Sequence, residues 1–135
     1  MKIIKNKLKI INNNKGKIVK FFYQNIKKFN KPEEVYFSFI KFKKIKGWKL
    51  HLKQTTVISV VFGKIKIVIF DKNFNFLEEV ILTSKSPSYV LIPPNVWYSF
   101  RGLNKSQSII CSLIDMLHKD DEQKNLELSK IKYKW

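Results

Sequence analysis

Two stretches decide the fold of this chain, GWKLHLKQTTVISVVFG at residues 47–63 and IPPNVWYSF at residues 92–100. Both are rich in β-branched and aromatic residues, which are favoured in strands. Polar residues, Gly63 and the pair Pro93 and Pro94 bound the apolar runs, and such residues are typical of turns. The two stretches therefore predict short strands joined by turns rather than helices.

The same pattern extends through most of the chain. Apolar runs, many of them alternating, predict strands at residues 17–23, 34–44, 48–52, 56–62, 64–70, 77–83, 88–92, 96–101 and 108–116. Residues 119–126 and 24–30 instead favour short helices. Many short strands at intervals of roughly ten residues predict an all-β sandwich or barrel.

The length of 135 residues predicts a single domain, 1–135, with its own hydrophobic core. Hydrophobic residues make up 44% of the chain, which excludes an intrinsically disordered protein. We expect residues 1–16 to form an N-terminal arm that is frayed or pairs as a strand with a partner chain, and residues 127–135 to form a C-terminal tail. Tyr133 and Trp135 are expected to dock on the domain or on a second subunit.

The charge of the chain is strongly positive. Its 27 Lys and Arg residues and 10 Asp and Glu residues give a formal net charge of +17. Such a field attracts phosphates, acidic ligands or nucleic acid. However, Arg101 is the only arginine and alanine is absent, which indicates a codon bias that inflates lysine on solvated surfaces. We therefore do not expect nucleic-acid binding, which would need a basic stripe rather than scattered lysines.

The cysteine content and the hydropathy of the chain indicate its cellular compartment. Cys111 is the only cysteine, so no internal disulfide is possible, and its apolar neighbours predict a buried thiol. No apolar stretch reaches the length of about 18 residues that a membrane-spanning helix needs. The basic N-terminus lacks the continuous apolar region of a signal peptide. We therefore expect a cytoplasmic protein.

The two stretches at 47–63 and 92–100 resemble the two motifs of the cupin superfamily. The first cupin motif has HxH, four residues, Glu, six residues and Gly, and its spacing matches here from Lys49 to Gly63. The second has P-x-G, two residues and His, and its spacing matches from Pro93 to Tyr98. This resemblance implies a small jelly-roll β-barrel of the cupin type.

In metal-binding cupins, the two histidines of HxH, the Glu and the last His are the ligands. The matching positions in this chain are Lys49, His51, Thr56 and Tyr98. A set with one histidine and one lysine does not hold a divalent transition metal in the usual way. We therefore expect no metal and no other cofactor.

Within the cupins, the chain looks most like the metal-independent branch of dTDP-4-dehydrorhamnose 3,5-epimerases and dTDP-sugar 3,4-ketoisomerases. The similarity extends over residues 35–122. It is carried by the Gly-x-x-x-His segment at 47–51, KIKIVIFD at 64–71, IPPNVWYSF at 92–100 and IDMLHKDDE at 114–122. It implies an isomerase of nucleotide sugars in surface-polysaccharide biosynthesis, a nucleotide-sugar ligand and a homodimer.

The resemblance also implies roles for single residues. His51 matches the catalytic His of the family, Lys49 stands where the ketoisomerases carry a second His, and Tyr98 stands where the epimerases carry another. A 4-keto sugar has acidic protons beside its carbonyl, so both reactions need a base near neutrality and a group that stabilises the enolate oxygen. Histidine, with an ordinary pKa of about 6.5, suits the base. We predict that His51, Lys49 and Tyr98 are catalytic.

The predicted substrate-binding residues are Lys53, Arg101, Tyr36 and Trp97. Alternation places Lys49, His51 and Lys53 on one face of their strand. Arg101 has a second interpretation as a surface ion pair, and Trp97 has one as a packed aromatic.

The tyrosine that the family carries on its last strand has no clear match here. Tyr36 and Tyr89 are the candidates to replace it as the acid on the opposite face of the sugar. Its absence keeps an alternative function open, that of a non-catalytic cupin that binds a sugar nucleotide or a related small molecule.

Overall fold

A computed structural model describes residues 3–21, 26–29, 31–119 and 122–135. These residues form twelve strands and a short 3-10 helix at Leu128–Lys130. The strands are β1 (Ile4–Lys7), β2 (Lys9–Asn13), β3 (Gly16–Lys20), β4 (Glu34–Lys41), β5 (Ile45–His51), β6 (Thr56–Phe62), β7 (Lys64–Asp71), β8 (Phe76–Thr83), β9 (Ser88–Ile92), β10 (Val96–Gly102), β11 (Gln107–Ile114) and β12 (Gln123–Leu126). The prediction of an all-β fold is confirmed.

The strands form two antiparallel five-stranded sheets and a separate ribbon. The first sheet has the order β1-β9-β6-β11-β4, the second has the order β12-β5-β10-β7-β8, and β2 and β3 form the ribbon. The core lies between the two sheets, where Ile58 and Ile110 of the first sheet meet Ile67 and Val96 of the second. The inner faces of both sheets therefore enclose the interior of a barrel.

The alternation in β7 shows why these residues form a strand of the barrel. Ile65, Ile67 and Ile69 are fully buried, whereas Lys64 is exposed on the opposite face. Gly63 turns the chain from β6 into β7 with a φ of 94°. A Cβ at this position would lie 2.6 Å from Oγ of Ser108. The predicted glycine turn is confirmed, because other residues would be strained in φ and would clash.

The N-terminal arm pairs with a strand of its own chain. The prediction that it frays or pairs with a partner chain was therefore wrong. β1 pairs with β9 of the same chain, with Ile4 opposite Leu91. Leu8 is buried in a cluster with Tyr89 and Leu91. Ile4 and Leu8 pack on the outer face of the first sheet, and this burial explains why β1 is bound there.

Both predicted helices need correction. Residues 123–126 form β12, which pairs with the edge of β5 and gives its backbone groups partners. Asp120 and Asp121, which belonged to that helix, lie outside the described residues. Residues 24, 25 and 30 of the second predicted helix also lie outside them, as do residues 22 and 23 of the strand predicted at 17–23. In the described part, Lys27 and Lys28 lie in a turn.

The C-terminal tail docks on the domain, as one of the two expectations had it. Ile131 is buried against the outer face of the second sheet, in a cluster with Trp48 and Phe70. The rings of Trp48 and Trp135 lie 5.9 Å apart between centroids. In the described part of the chain, no helix has the length and apolar character needed to cross a membrane.

Candidate active site

His51 ends β5 and is buried, with 4% of its surface exposed. Its ring nitrogen Nδ1 makes a short hydrogen bond with Oε1 of Glu122, which is also buried. The two residues are 71 positions apart in the sequence. β12 begins at Gln123, directly after Glu122, and its pairing with β5 brings the two side chains together.

Glu122 is held by backbone groups as well as by His51. Its Oε2 accepts hydrogen bonds of 3.3 Å from the amides of Lys53 and Gln54. Burial alone would raise the pKa of Glu122, but the hydrogen bonds from His51 and from these amides lower the pKa below its ordinary value. The carboxylate is therefore ionised near neutral pH.

The state of His51 follows from this pair. Burial lowers the pKa of His51, and the hydrogen bond and charge of Glu122 offset only part of that effect. The ring is therefore neutral at pH 7. Because an ionised carboxylate can only accept, the proton of the ring lies on Nδ1, and Nε2 carries a lone pair. This is the tautomer that a general base needs.

Two polar groups face Nε2 of His51. The hydroxyl of Tyr98 and Nε2 of Gln54 each lie 3.3 Å from it. The Gln54 amide also donates to Oγ1 of Thr56 at 2.8 Å. Its buried Oε1 has no hydrogen-bond partner among the described residues. The rings of His51 and Tyr98 stack with an angle of 29° and a centroid distance of 6.1 Å.

A cavity of about 90 Å³ opens beside this cluster, between the two sheets. Its lining consists of Tyr36, Ser38, Lys46, Gly47, Lys49, Ile58, Tyr98, Phe100 and Ser112. Tyr36 and Ser112 come from the first sheet, while Lys49 and Tyr98 come from neighbouring strands of the second. The polar groups therefore approach the cavity from opposite walls.

Burial shifts the pKa values of three titratable groups in this lining. It lowers the pKa of Lys49, which the nearby charge of Lys46 lowers further. It raises the pKa of Tyr36, although a hydrogen bond with Ser112 opposes the change. It also raises the pKa of Tyr98 strongly. The cavity therefore holds an amine with an increased tendency to lose its proton and two phenols that stay protonated.

The structure brings together four of the residues that the sequence singled out. Lys49, Tyr98 and Tyr36 line the cavity, and His51 lies directly behind Tyr98. Tyr89 lies elsewhere, because it packs in the cluster beneath the N-terminal arm. Of the two candidates for the opposite-face acid, Tyr36 is therefore the one placed at the cavity.

Three predicted substrate-binding residues are not brought to this cavity. The side chain of Lys53 is exposed, and only its backbone amide reaches the site, through Glu122. Trp97 and Arg101 point to the outer face of the second sheet, because they alternate with Tyr98 on β10. The ring of Trp97 stacks on Phe74 at 6.3 Å.

Two polar residues of the cluster, Glu122 and Gln54, were missed from the sequence. Glu122 follows two aspartates in a polar run, so the sequence predicted a solvated turn or a helix start. The only signal for it is its position at the end of the stretch 114–122 that carries the family resemblance. Gln54 stands in the first motif, but nothing in its type or spacing marks it.

The positions that match the metal ligands of metal-binding cupins fall within this cluster. Lys49, His51, Thr56 and Tyr98 stand there, and Nδ1 of His51 is already bonded to Glu122. In residues 3–21, 26–29, 31–119 and 122–135, no group of three or more His, Cys, Asp or Glu side chains is placed to hold a metal ion.

Solved structures resemble this fold closely. A dTDP sugar isomerase from Desulfovibrio desulfuricans G20 matches with a TM-score of 0.89 and 23% identity, over 98% of this chain and 90% of that one. A sugar 3,4-ketoisomerase from Thermoanaerobacterium thermosaccharolyticum, solved in complex with TDP, matches with a TM-score of 0.75 and 19% identity, over 90% and 86%. No protein-family model and no curated protein matches the chain.

A third structure extends the comparison to the epimerases. It is a dTDP-6-deoxy-D-glucose-3,5-epimerase from Legionella pneumophila in complex with dTDP-4-keto-L-rhamnose. It matches with a TM-score of 0.79 and 15% identity, over 92% of this chain and 72% of that one. The predicted cupin-type jelly-roll barrel is confirmed, and these structures carry the names of the group that the sequence resembles.

Proposed function

We propose that this protein is a metal-independent epimerase or ketoisomerase that acts on a 4-keto nucleotide sugar by proton transfer to His51. One observation carries the proposal, the buried pair of His51 and Glu122 beside a cavity with polar walls. An ionised carboxylate that fixes the tautomer of a neutral imidazole produces a base suited to pH 7. The structural relatives, which are named as dTDP-sugar isomerases and epimerases, support the choice of substrate.

The lining of the cavity suits the rest of this reaction. When a proton leaves the carbon beside the sugar carbonyl, negative charge develops on the carbonyl oxygen. The Lys49 ammonium or the Tyr98 hydroxyl, on the wall next to His51, would stabilise that oxygen. Lys46 and Lys49 would also complement the charge of a diphosphate.

Tyr36 would supply a proton from the other side of the sugar. It stands on β4 in the first sheet, across the cavity from Lys49 and Tyr98. Inversion of a carbon needs proton removal and delivery on opposite faces, whereas ketoisomerisation can use one face. A requirement for Tyr36 would therefore distinguish epimerisation from ketoisomerisation.

The proposal is tested by incubating the protein with dTDP-4-keto-6-deoxyglucose in D₂O and following the sugar by NMR. A ketoisomerase moves the carbonyl to the neighbouring carbon, whereas a 3,5-epimerase inverts and deuterates C3 and C5. We expect His51→Gln to lower the rate by roughly 10²–10⁴-fold, and Glu127→Gln, at an exposed residue, to leave it unchanged. A folded wild-type protein that leaves a panel of such sugars unaltered would contradict the proposal.

The size of the cavity favours a second candidate function. At about 90 Å³ it is smaller than the roughly 300–1,000 Å³ typical of ligand pockets. A cupin that only binds a sugar nucleotide can hold part of the ligand in such a small cavity and leave the rest outside. Thermal stabilisation by TDP-sugars without deuterium incorporation would support this function, and any incorporation at the sugar carbons would exclude it.

We also infer a homodimer, through the outer face of the first sheet. An apolar strip is inferred from five exposed residues on β4 and β6, which flank β11 in this sheet. They are Val35, Phe37, Phe39, Val61 and Phe62, and each is 50–60% exposed. β4 also ends its sheet, so one of its edges is not paired with any described strand. An apolar strip beside an open strand edge is self-complementary, and a second copy can cover it about a two-fold axis.

A further inference from the structure

His51 is separated from the cavity that would hold the substrate. Its side chain is buried and does not take part in the lining. Nδ1 is bonded to Glu122, and Nε2 faces the side chains of Tyr98 and Gln54. A ligand in the cavity therefore meets other groups before it can meet the imidazole.

Tyr98 connects the two places. It belongs to the lining of the cavity, and its hydroxyl lies 3.3 Å from Nε2 of His51. The backbone of β10 pairs with β5, with Tyr98 opposite Lys49, and the Tyr98 ring stacks on that of His51. Two paired strands and a ring contact thus hold the Tyr98 side chain against His51 at the wall of the cavity.

We propose that Tyr98 is the catalytic residue that exchanges the proton with the substrate, and that His51 and Glu122 act through its hydroxyl. This inference rests on the proposed function. In the forward step, the C–H proton beside the carbonyl moves to Oη of Tyr98 while the proton of Oη moves to Nε2 of His51. The C–H electron pair becomes the enolate, and the resulting imidazolium is neutralised by Glu122. The reverse step returns a proton to carbon.

The coupling of the two transfers has a physical reason. Burial raises the pKa of Tyr98, so a free tyrosinate is strongly disfavoured at neutral pH. A transfer in which the hydroxyl gains one proton as it loses another leaves Tyr98 uncharged throughout. The positive charge then forms on His51, next to the carboxylate that stabilises it.

Gln54 acts as a positioning residue in this relay. In the neutral state its amide group faces Nε2 of His51 and donates to Thr56. After proton transfer Nε2 becomes a donor, and half a turn of the amide presents Oε1 to it. Since Oε1 has no partner among the described residues, the rotation breaks only the hydrogen bond that the amide nitrogen donates to Thr56.

The first test needs no substrate. We compare the ¹⁵N resonances of the His51 ring in the wild-type protein and in Tyr98→Phe at neutral pH. Loss of the hydroxyl should shift Nε2 and leave Nδ1, which faces Glu122, nearly unchanged. Tyr133→Phe is the matched control, because it removes a hydroxyl that contacts Glu79 on the outer side of the protein. An unchanged Nε2 resonance in Tyr98→Phe would overturn the proposal.

The second test measures deuterium incorporation into the keto sugar. We expect Tyr98→Phe to lower the rate by roughly 10²–10⁴-fold, as much as His51→Gln does, and the double variant to be no slower, because both residues serve one route. If Tyr98→Phe exchanges at the wild-type rate while His51→Gln does not, the relay is wrong and the proposed function stands. If the wild-type protein exchanges no deuterium, the proposed function fails, and with it the relay, even where the Nε2 shift confirms the contact.

Discussion

The two faces of the second sheet differ sharply in chemistry although they share the same strands. β5 and β10 direct polar residues inward, towards the cavity, and large apolar residues outward. The inward residues are Lys49, His51 and Tyr98. The outward residues are Trp48, Leu50 and Trp97. Alternation along a strand places neighbours in the sequence in opposite environments.

The C-terminal segment completes both faces. Glu122 reaches the inner side and fixes His51, whereas Ile131, Tyr133 and Trp135 cover the outer side. The outer face is a packed apolar cluster, which contributes mainly stability. The inner face holds buried polar groups, which contribute little net stability and carry the proposed chemistry. The comparison therefore predicts that substitutions on the two faces have separable effects.

The largest effect on stability is expected at the outer face. Trp48 is 1% exposed and packs against Phe70 and Trp135. Trp48→Ala should lower the free energy of unfolding by about 3–5 kcal/mol, measured by urea denaturation. The protein that remains folded should keep its KM and turnover number. A loss of turnover as large as that of His51→Gln in the folded fraction would break the distinction between the faces.

On the inner face, Glu122→Ala should act mainly on the chemistry. It leaves the amides of Lys53 and Gln54 and the Nδ1–H group of His51 without their acceptor. We expect turnover to fall by roughly 10²–10⁴-fold and the free energy of unfolding to fall by about 1–3 kcal/mol. The exposed Glu127 provides the control, since Glu127→Ala should change neither quantity. Normal turnover in Glu122→Ala would show that His51 needs no fixed tautomer.

Acid should lower the free energy of unfolding through the buried titratable groups of the inner face. The pKa of His51 is lower in the folded protein than its ordinary value of 6.5, so the unfolded chain binds this proton more readily. Stability is therefore unaffected above pH 6.5 and falls as the pH drops from 6.5 towards the folded pKa, by at most about 1.4 kcal/mol per pH unit. Glu122, whose pKa is also lowered, adds a further loss below its ordinary value of 4.5.

Urea denaturation at pH 7.5 and pH 5.5 measures this effect. His51→Gln removes the titrating ring, so the variant should lose less stability than the wild-type protein between these two values. Equal losses in both proteins would mean that His51 is not buried in its neutral form.

The smallest effect on stability is expected at the outer face of the first sheet, which no described segment covers at β4. Phe37 is 60% exposed, so Phe37→Ser should change the stability of the monomer by no more than about 0.5 kcal/mol. It should, however, shift the mass measured by light scattering from a dimer towards a monomer. A wild-type protein that stays monomeric at high concentration would contradict the inferred dimer.

Much of the fold was predictable, because strand alternation is a local property. The strands at 56–62 and 88–92 were placed with the observed bounds, and the inward direction of His51 and Tyr98 followed from the motifs. The edge strand β12 was not predictable, because its residues carry no apolar alternation. Its conformation comes from pairing with β5. The pairing of β1 was not predicted for the same reason, because it depends on contact with the distant strand β9.

The sequence by itself determined the class of the fold, the position of His51 and the presence of Lys49 and Tyr98 on inward faces. The alternation of short strands predicts the all-β class, and the resemblance to the two motifs, taken with alternation, predicts the inward side chains. Only the tertiary structure decided that Glu122 joins His51 and that Tyr98 stands between His51 and the cavity. It also decided that Tyr36 faces them from the other sheet. These contacts link segments far apart in the chain, and their distances depend on how the two sheets close into a barrel.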